Sequence, residues 1–517
     1  MKNRVVIIGA GIGGLVAAAR LAHAGCDVTV IEELNSAGGK MRTVESAAGP
    51  VDAGPTVLTM RGVFDELFAD LGTSLSDQLT LQPLDRLARH YWDDGTSLDL
   101  MADQAASAAN IEQVFGATAA AEFRAFSARA GRLFDAFDAP MMQNAEPSQR
   151  HLAGIVLRRP SLLRDMAPHQ TLASLLRHSF SAPKLAQLFG RYATYVGGSP
   201  YASPALLALI AQAEERGVWA VQGGMHRLAQ VIEALARARG AVFHYGAPAT
   251  QIVLQSGRAA TVETVQGRFA ADAVLFNGDP RALSEGLLGT AARNAVPRKS
   301  VEPRSLSAYV HAFAARVSGP ALCYHTVFFG ADPRAEFDAL SQGQRPTDAT
   351  LYICAQDRAE PQHPTGVERF EIILNGPPQG AAPPAHEDIA ACQTKVFARL
   401  EQFGLKFDQQ PGPESLTTPA GFARLFPGSS GSIYGRSPHG LTAGLARPTA
   451  RTTVPGLYLA GGGAHPGAGV PMAALSARHA AVAIMNDLVL PSMSHRTATR
   501  GGISTGSAMT GPKASRS

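Results

Sequence analysis

The N-terminal part of the chain carries two short apolar runs separated by a stretch of helical periodicity. Residues 5–8 are Val-Val-Ile-Ile and lead into a glycine-rich turn, and residues 28–31 are Val-Thr-Val-Ile. Between them, apolar residues recur at helical spacing from about residue 13 to residue 24. Short uninterrupted apolar runs are typical of buried strands, so the pattern predicts a strand–helix–strand unit of a parallel sheet.

The glycines of this unit occupy the positions that an adenine dinucleotide requires. Gly9 permits a tight turn out of the strand, and Gly11 lets bare backbone approach a diphosphate. Gly14 allows helix and strand to pack closely, and the first helical amides, beginning at Gly13, would face the negative charge. Glu32 follows the second strand, where a carboxylate accepts hydrogen bonds from ribose hydroxyls. Together these features predict a dinucleotide site.

Three separated stretches, residues 1–70, 219–299 and 431–490, have the pattern of one nucleotide-binding domain. Apolar strands alternate with amphipathic helices in each of them, so we expect a discontinuous α/β domain. The elements predicted in the second and third stretches are helices over 225–239 and 473–488 and strands at 241–244, 250–254, 260–265, 273–276 and 455–460.

The two intervals between these stretches differ in character. Residues 71–218 are mostly helical in pattern, whereas residues 300–430 mix strands such as 351–354 and 370–374 with loops rich in Pro and Gly. We interpret both as parts of an inserted substrate-binding domain. Residues 491–517 are rich in Ser, Thr and Gly and are expected to be disordered. The predicted fold class is therefore α/β, a Rossmann-like domain with an inserted mixed α+β domain.

Residues 150–192 combine basic and aliphatic side chains. Seven Lys or Arg residues oppose the single acid Asp165, and aliphatic clusters lie between them. Helices of this composition can lie in the headgroup layer of a membrane, which would make this a helical, membrane-facing region. The alternative is that the aliphatic side chains face the core and the basic ones are solvated. The basic residues are Arg150, Arg158, Arg159, Arg164, Arg177, Lys184 and Arg191.

Composition narrows the classes of protein that fit. Apolar residues make up 45% of the chain, which is typical of a globular protein with a large core. A net charge of +4 over 517 residues gives no case for binding nucleic acid. The four cysteines are widely spaced and indicate reduced thiols in the cytoplasm rather than a metal site. Neither a signal peptide nor a membrane span is expected, because no apolar run is long enough.

A second glycine pair, in Gly38-Gly39-Lys40, follows the ribose acid, and the stretch 51–56 reads Val-Asp-Ala-Gly-Pro-Thr. Both motifs resemble those of the amine oxidase and carotenoid desaturase superfamily of FAD enzymes. The resemblance implies an extended FAD site, a loop that passes the flavin ring, and a residue whose backbone meets the adenine. The cofactor-binding residues that it implies are Gly39, Lys40, Gly54, Pro55, Thr56 and Ala249.

The C-terminal stretch 456–471 resembles one part of this superfamily in particular. Its Gly-Gly-Gly-Ala-His-Pro-Gly-Ala-Gly-Val-Pro portion is similar to the signature of bacterial-type carotenoid desaturases. It departs from that signature at Ala464, where the family usually has Thr, and this makes phytoene a less certain substrate. The residues implied to close the flavin site are Gly463, His465, Val470 and Pro471.

Two further stretches, 431–440 and 446–449, are similar to one branch of this family, the 1-hydroxycarotenoid 3,4-desaturases of purple phototrophs. The branch implies an FAD-dependent oxidoreductase that introduces a C-3,4 double bond into 1-hydroxy- or 1-methoxycarotenoids. It also implies peripheral association with the inner, photosynthetic membrane, and oxygen or a quinone as electron acceptor.

The implied chemistry does not require a strong protein base. The flavin takes one hydrogen as hydride, and the conjugated chain delocalises the charge while a proton leaves. No catalytic residue is therefore assigned. His465 and Asp52 are expected either to act on the substrate or to fix loops, and Arg436 and His439 either to meet its end group or to lie in a surface loop.

Three alternatives stay open. A phytoene desaturase or a carotenoid isomerase would carry the same motifs. A flavin amine oxidase often attaches its flavin through a cysteine near the C-terminal cofactor segment, whereas the last cysteine here, Cys392, lies well before it, so non-covalent FAD is expected. A binding protein of the GDP dissociation inhibitor type would not need the acid and all the FAD loops together.

Overall fold

A computed structural model describes residues 2–359, 364, 366–379 and 389–496. Its strands are β1 Arg4–Ile8, β2 Asp27–Ile31, β3 Thr43–Val44, β4 Val51–Asp52, β5 Leu81–Pro83, β6 Arg86–Tyr91, β7 Ser97–Met101, β8 Trp219–Val221, β9 Val242–His244, β10 Ala249–Gln255, β11 Arg258–Thr264, β12 Gly267–Ala270, β13 Ala273–Phe276, β14 Ser307–Ala315, β15 Val317–Ser318, β16 His325–Phe328, β17 Leu351–Ala355, β18 Glu368–Gly376, β19 Lys406–Phe407, β20 Leu416–Thr417 and β21 Leu457–Leu459.

The α-helices lie between these strands, joined in places by short 3₁₀ turns and by a π turn at Asp138–Met142. They are α1 Ile12–His23, α2 Gly62–Asp70, α3 Leu75–Gln78, α4 Gln104–Phe115, α5 Ala117–Phe137, α6 Gln149–Arg158, α7 Ser161–Met166, α8 Leu172–Ser179, α9 Pro183–Gly190, α10 Leu209–Glu215, α11 His226–Ala238, α12 Arg281–Glu285, α13 Pro333–Ser341, α14 Ile389–Gln402, α15 Pro419–Leu425 and α16 Val470–Arg496.

A parallel five-stranded sheet in the order β21-β13-β1-β2-β9 holds the N-terminal motif at its centre. The strand β1 is an unbroken apolar run because both faces of the sheet are covered. Val5 and Ile7 pack in a cluster with α1, α11 and α16. Val6 and Ile8 pack on the other face, against the antiparallel sheet β10-β11-β12. The strand–helix–strand expectation is confirmed.

A second, mixed sheet has the order β20-β14-β18-β17-β16-β6-β7. Its apolar positions alternate, because successive side chains of a strand point to opposite faces. Val327 joins a cluster with the helices α4, α5, α8 and α9, while the adjacent Phe328 joins a cluster with α14. The chain therefore has the α/β architecture with mixed sheets that the motifs imply.

Two stretches differ from the sequence pattern. The interval 71–218 contains β5, β6 and β7 besides its helices. These strands are only three to six residues long, and runs this short carry little periodicity among the surrounding helical segments. Helix α16 continues to Arg496, into the segment 491–517 that was expected to be disordered. Adding residues to an existing helix needs no new nucleus, so the helix extends beyond its apolar stretch. Residues 497–517 lie outside the described residues.

Two features considered from composition can be located in the structure. All four cysteines lie in the described part of the chain, none of them forms a disulfide there, and three of them are buried. Within that same part, the structure contains no helix that is both long and apolar enough to cross a membrane.

Candidate functional site

A large cavity, of about 2140 Å³, is lined both by the glycine turn after β1 and by strands of the mixed sheet. Ligand cavities of roughly 300–1,000 Å³ are usual, so this one has room for two large ligands. Gly14 and His465 do not line it, whereas the other thirteen residues expected at the cofactor do. Those thirteen are Gly9, Gly11, Gly13, Glu32, Gly39, Lys40, Gly54, Pro55, Thr56, Ala249, Gly463, Val470 and Pro471.

The glycine turn leaves no space for side chains. Gly9 has a φ of +100°, and a Cβ on Gly14 would lie 2.0 Å from the carbonyl oxygen of Gly9. A Cβ on Gly13 would lie 2.4 Å from Asn277 Oδ1 and 2.8 Å from the amide nitrogen of Gly461. Helix α1 begins after Gly11 without a side-chain cap, so its first amides are left for a ligand.

The second glycine pair packs directly on the first turn. Gly38 forms a bridge with Gly11, and a Cβ on Gly39 would lie 3.0 Å from the Cα of Gly11. A Cβ on Gly54 would lie 1.9 Å from the carbonyl oxygen of Lys40. Because these loops touch through bare backbone, residues separated along the chain form one continuous cradle.

The carboxylate of Glu32 is held at the end of β2. Its oxygens accept hydrogen bonds from the amide of Ala10 at 2.5 Å and from the amide of Leu34 at 2.8 Å. Burial raises the pKa of Glu32, while these backbone donors oppose the increase. Each carboxylate oxygen has a second acceptor site, so both remain able to bind ligand hydroxyls.

Lys40 is a half-buried cation beside the cavity. Its Nζ donates a hydrogen bond to the carbonyl oxygen of Ile433 at 2.9 Å and lies 5.4 Å from the centre of the Phe426 ring. Burial lowers the pKa of Lys40 to about 8, and the nearby positive charges of Arg304 and Arg447 contribute in the same direction. The amine therefore changes charge close to neutral pH.

The C-terminal loop forms another wall of the cavity. A Cβ on Gly463 would lie 2.4 Å from Pro280 Cδ, which excludes a side chain there. Arg447 donates hydrogen bonds to the carbonyl oxygens of Gly462, at 2.9 Å, and Tyr434, at 2.9 Å. Helix α16 begins next to this wall, and Val470 and Pro471 of its first turn line the cavity.

Two residues weighed as catalytic groups form contacts outside the cavity. The ring of His465 is buried, its Nε2 lies 2.8 Å from the carbonyl oxygen of Asn144, and it stacks on His479. The carboxylate of Asp52 accepts the amides of Met225 and His226 at the start of α11. Neither residue lines the cavity, and both hold loops in place.

Arg436 and His439 also form contacts away from the cavity. Arg436 donates to the carbonyl oxygens of Ser437 and Ala443, and His439 Nε2 accepts the amide of Ser199 at 3.0 Å. Neither lines the cavity. The His439 contact joins two loops that lie far apart along the chain, whereas the Arg436 contacts span a single turn.

Sequence reasoning missed several residues of the site. Asn277 donates to the carbonyl oxygen of Gly9 at 3.1 Å and contacts the C-terminal loop, so it joins both glycine segments. The sequence feature that could have indicated this role is the position of Asn277, a polar residue directly after the apolar run 273–276. Polar side chains in the rest of the lining had no local signal. They include Arg191, Tyr195, Glu214, Glu336 and Tyr352. Within the described residues, no group of His, Cys, Asp and Glu is placed to hold a metal ion.

Comparison with known proteins identifies the class. The family model described as flavin containing amine oxidoreductase matches residues 12–485. The chain therefore belongs to the family of flavin-containing amine oxidoreductases. Within this family it groups with the bacterial carotenoid desaturases.

Two curated relatives are similar to this chain over nearly their whole length. The chain is 56% identical to a hydroxyneurosporene desaturase of Cereibacter sphaeroides, with 94% of this chain and 98% of that protein covered. It is 44% identical to a protein of the same name from Rubrivivax gelatinosus, with 98% of each covered. The solved cyclohexylamine oxidase from Brevibacterium oxydans is similar in fold, with a TM-score of 0.56, 17% identity, and coverage of 95% of this chain and all of that one.

The cofactor of the family is FAD, and the residues of the cavity fit it. The uncapped amides of α1 and the bare backbone of Gly11 and Gly39 suit a diphosphate. Glu32 retains acceptor sites for ribose hydroxyls, and Lys40 supplies a half-buried positive charge. Without FAD this arrangement would leave backbone donors and a half-buried cation facing an open cavity.

We expect the affinity for FAD to fall as the pH rises through about 8. Lys40 is protonated below its lowered pKa of about 8 and neutral above it, and only the charged form attracts an anionic cofactor. A charged hydrogen bond contributes about 1.5–3 kcal/mol, so the dissociation constant should rise about tenfold between pH 7 and pH 9.5. Titration of the apoprotein with FAD measures the change. Lys40→Met should bind FAD more weakly than the wild type at pH 7, and its dissociation constant should not change with pH. A pH dependence like that of the wild type, retained in Lys40→Met, would contradict the role of Lys40.

Proposed function

We propose that the chain is an FAD-dependent desaturase that introduces a C-3,4 double bond into 1-hydroxy- or 1-methoxycarotenoids. The observation that carries the proposal is the continuity of one cavity from the FAD-binding loops to the amphipathic helices α6 and α7. A carotenoid is long and apolar, and this cavity offers it a path from the surface to the flavin. The identity to hydroxyneurosporene desaturases supports this substrate class.

In the domain arrangement that goes with this function, residues 1–70, 219–299 and 431–490 form the FAD-binding domain, and residues 71–218 and 300–430 bind the substrate. The parallel sheet takes its strands from the first set, and the mixed sheet takes its strands from the second. Separate expression of the second set would test this division. A folded product that retains carotenoid binding would support it, and an unfolded product would count against it.

Bound FAD would supply the hydride acceptor, and the chain's own residues would do the rest. Aliphatic and aromatic lining residues such as Phe134, Leu206 and Ile210 exclude water and hold the polyene extended. The polyene itself stabilises positive charge, so the cavity needs to orient the substrate more than to supply a strong base. Oxygen or a membrane quinone would then reoxidise the flavin.

The exposed end of the cavity has the character of a membrane contact. No residue of α6 is buried, and Leu157, on α6, and Leu163, on α7, both line the cavity. Their exposed fractions are 79% and 53%, although both are large apolar side chains. We propose that this end inserts into the lipid surface at the cytoplasmic face of the photosynthetic membrane and takes up the carotenoid there.

Unpaired positive charges accompany the apolar residues. Five arginines of the segment 150–192 are exposed, and none of them forms an ion pair among the described residues. Lys184 forms an ion pair with Asp94, and Arg191 is partly buried, so these two side chains are not available to bind lipid headgroups. Anionic headgroups would attract the remaining charges. The five are Arg150, Arg158, Arg159, Arg164 and Arg177.

We expect the double variant Leu157→Asp/Leu163→Asp to lose binding to anionic vesicles by at least about tenfold, because burial of a leucine contributes about 1.5–3 kcal/mol. Co-sedimentation of the purified protein with vesicles measures it. The matched control is Val265→Asp, which adds a charge at an exposed valine outside the cavity lining. Equal binding of the double variant and the control would contradict a membrane contact at α6 and α7.

Expression of the chain in cells that contain defined carotenoids tests the function itself. Hydroxyneurosporene should yield a product with one additional conjugated double bond, identified by its red-shifted absorption bands and its mass. Conversion of phytoene without conversion of hydroxyneurosporene would reject the proposal in favour of a phytoene desaturase. A change of double-bond geometry without loss of hydrogen would indicate an isomerase instead.

A further inference from the structure

A positive charge lies in the wall of the cavity without a carboxylate bonded to it. Arg191 begins a short 3₁₀ turn, Arg191–Val196, directly after α9, and it lines the cavity. Its Nε is buried without a hydrogen-bond partner, and no ion pair of the described residues includes it. A guanidinium carries five N–H donors, and donors without acceptors are costly away from water. The cation is therefore a candidate for binding a ligand in the cavity.

Two tyrosines and a glutamate hold this guanidinium in place. It lies 5.1 Å from the centre of the Tyr195 ring and 5.8 Å from that of Tyr192, which is the range of cation–π contacts. The two tyrosine hydroxyls donate to Glu214 on α10, one to each carboxylate oxygen. The Tyr195 hydroxyl also accepts one N–H of the guanidinium. The remaining N–H groups of Arg191 have no acceptor among the described residues, although the side chain is fixed in position.

The ligand that these donors require is a neutral oxygen rather than an anion. Burial lowers the pKa of Arg191, but the nearby Tyr195 and Glu214 raise it by more, so the side chain stays charged. Glu214 is only 5% exposed and supplies the compensating negative charge. Because the charge is already balanced, the unmet requirement is for hydrogen-bond acceptors. A neutral pair also does not oppose the positive charge that develops on a polyene.

A series of contacts connects Arg191 to the loop expected to pass the flavin ring. Burial and, after it, the charge of Arg191 lower the pKa of His325 to about 3, so this charge lies near the His325 ring. His325 Nδ1 lies 2.6 Å from the hydroxyl oxygen of Tyr352, and that oxygen lies 2.7 Å from Thr56 Oγ1. Thr56 belongs to the stretch 51–56 of the flavin loop. The donors of Arg191 are therefore only a few side chains away from that loop.

We propose that Arg191 binds the oxygen on C1 of the carotenoid and thereby positions C3 and C4 at the flavin. The inference rests on the proposed function. In a 1-hydroxycarotenoid, C2 alone separates C1 from the reacting C3, so the oxygen stays near the flavin loop during the reaction. Hydroxyl and methoxy oxygens both accept a hydrogen bond, so both substrates are favoured over an unsubstituted one. A substrate without the oxygen leaves the donors facing carbon, which is how such sites reject analogues.

Ser307 is the alternative donor in this part of the wall. It lines the cavity, and its buried hydroxyl has no hydrogen-bond partner among the described residues. The hydroxyl of Thr350, by contrast, donates to Glu336. Ser307 offers a single uncharged donor, whereas Arg191 offers several donors that carry charge, and hydrogen bonds to charged groups are the stronger ones. We therefore assign the oxygen to Arg191 and test Ser307 beside it.

The test measures kcat/KM of the reconstituted holoenzyme for carotenoids with a hydroxyl, a methoxy group or no substituent at C1. Arg191→Met/Glu214→Gln removes the cation together with its counter-charge, so that no unpaired charge stays buried. We expect kcat/KM to fall about tenfold or more for both oxygenated substrates and by less than about twofold for the unsubstituted one. Arg191→Lys retains a charged donor and should lose less of the preference. Glu214→Gln alone retains all donors of Arg191 and should keep most of it.

Two controls separate this role from others. Arg334 also lines the cavity, but its side chain is 62% exposed and pairs with Asp338, so Arg334→Met should leave the preference intact. Ser307→Ala should leave it intact as well. Loss of the preference in Ser307→Ala, together with its retention in the arginine double variant, would overturn the inference and assign the oxygen to Ser307. Flavin content and thermal midpoint are measured for each variant, so a loss of FAD or of folding is recognised.

A quinone is another neutral ligand with oxygen acceptors, and stopped-flow spectroscopy distinguishes it from the carotenoid. Anaerobic reduction of the flavin by 1-hydroxycarotenoid and its reoxidation by a short-chain quinone are followed separately. We expect the double variant to slow the reduction about tenfold at low substrate concentration and to leave the reoxidation unchanged. Slower reoxidation with unchanged reduction would overturn the inference and assign Arg191 to the electron acceptor. An equal decrease for all three carotenoids would overturn it in favour of a structural role. Absence of turnover in the wild type with any of the three would reject the proposed function instead.

Discussion

Gly14→Ala is expected to yield a protein without bound flavin. A Cβ at this position would lie 2.0 Å from the carbonyl oxygen of Gly9, and the contact is with backbone, so no side-chain rotation relieves it. Helix α1 would have to move away from β1 and take its first amides out of line with the diphosphate. Overpacking of this kind costs about 1–3 kcal/mol in stability. The ratio of flavin to protein absorbance after purification measures the loss.

The matched control is Gly62→Ala. Gly62 begins helix α2, has no neighbour within 4 Å of a built Cβ and does not have a positive φ. An alanine there should change stability by less than about 1 kcal/mol and leave the flavin content unchanged. Full flavin occupancy and an unchanged thermal midpoint in Gly14→Ala would contradict the packing argument.

Arg304→Met is expected to be the most destabilising single change, at about 3–5 kcal/mol. Arg304 forms an ion pair with Asp279, and their side chains are only 9% and 4% exposed. Arg304 also donates to the carbonyl oxygens of Val301 at 3.0 Å and Ser429 at 3.1 Å. Its removal leaves the carboxylate of Asp279 buried without its cation. Denaturant unfolding of the apoprotein measures the effect.

Two further variants test the cause. Replacing both partners, in Arg304→Met/Asp279→Leu, should recover most of the lost stability, because no unpaired charge remains buried. Arg4→Met breaks the exposed pair with Asp272, whose side chains are 51% and 38% exposed, and should cost less than about 1 kcal/mol. Equal losses in Arg304→Met and Arg4→Met would contradict the assignment of a buried pair.

The cofactor half of the site is readable from sequence because its requirements are local. A turn at Gly9, a helix start at Gly13 and an acid after the second strand all fall within one strand–helix–strand unit. The C-terminal wall is likewise one continuous motif. His465 belongs to this motif, but its ring bonds to the distant Asn144, a partner that no local pattern indicates, and its contact with the cofactor stays a prediction.

The substrate half of the site was not predictable in the same way. Thr56, in the loop after β4, and Tyr352, on β17 of the mixed sheet, are hydrogen-bonded across 296 positions of sequence. A tyrosine in an apolar strand carries no signal that its hydroxyl meets a cavity. The same applies to Glu214, which Tyr192 and Tyr195 bind from a neighbouring turn. Such sites depend on which segments the fold brings together rather than on spacing along the chain.

The most direct test of the account is a single turnover without oxygen. Purified holoprotein is mixed anaerobically with hydroxyneurosporene, and the flavin and carotenoid absorption bands are followed together. We predict that the oxidised flavin band bleaches in step with the appearance of red-shifted carotenoid bands, with one flavin reduced for each double bond formed. An oxidised flavin and an unchanged carotenoid spectrum, under conditions in which phytoene does reduce the flavin, would contradict the account.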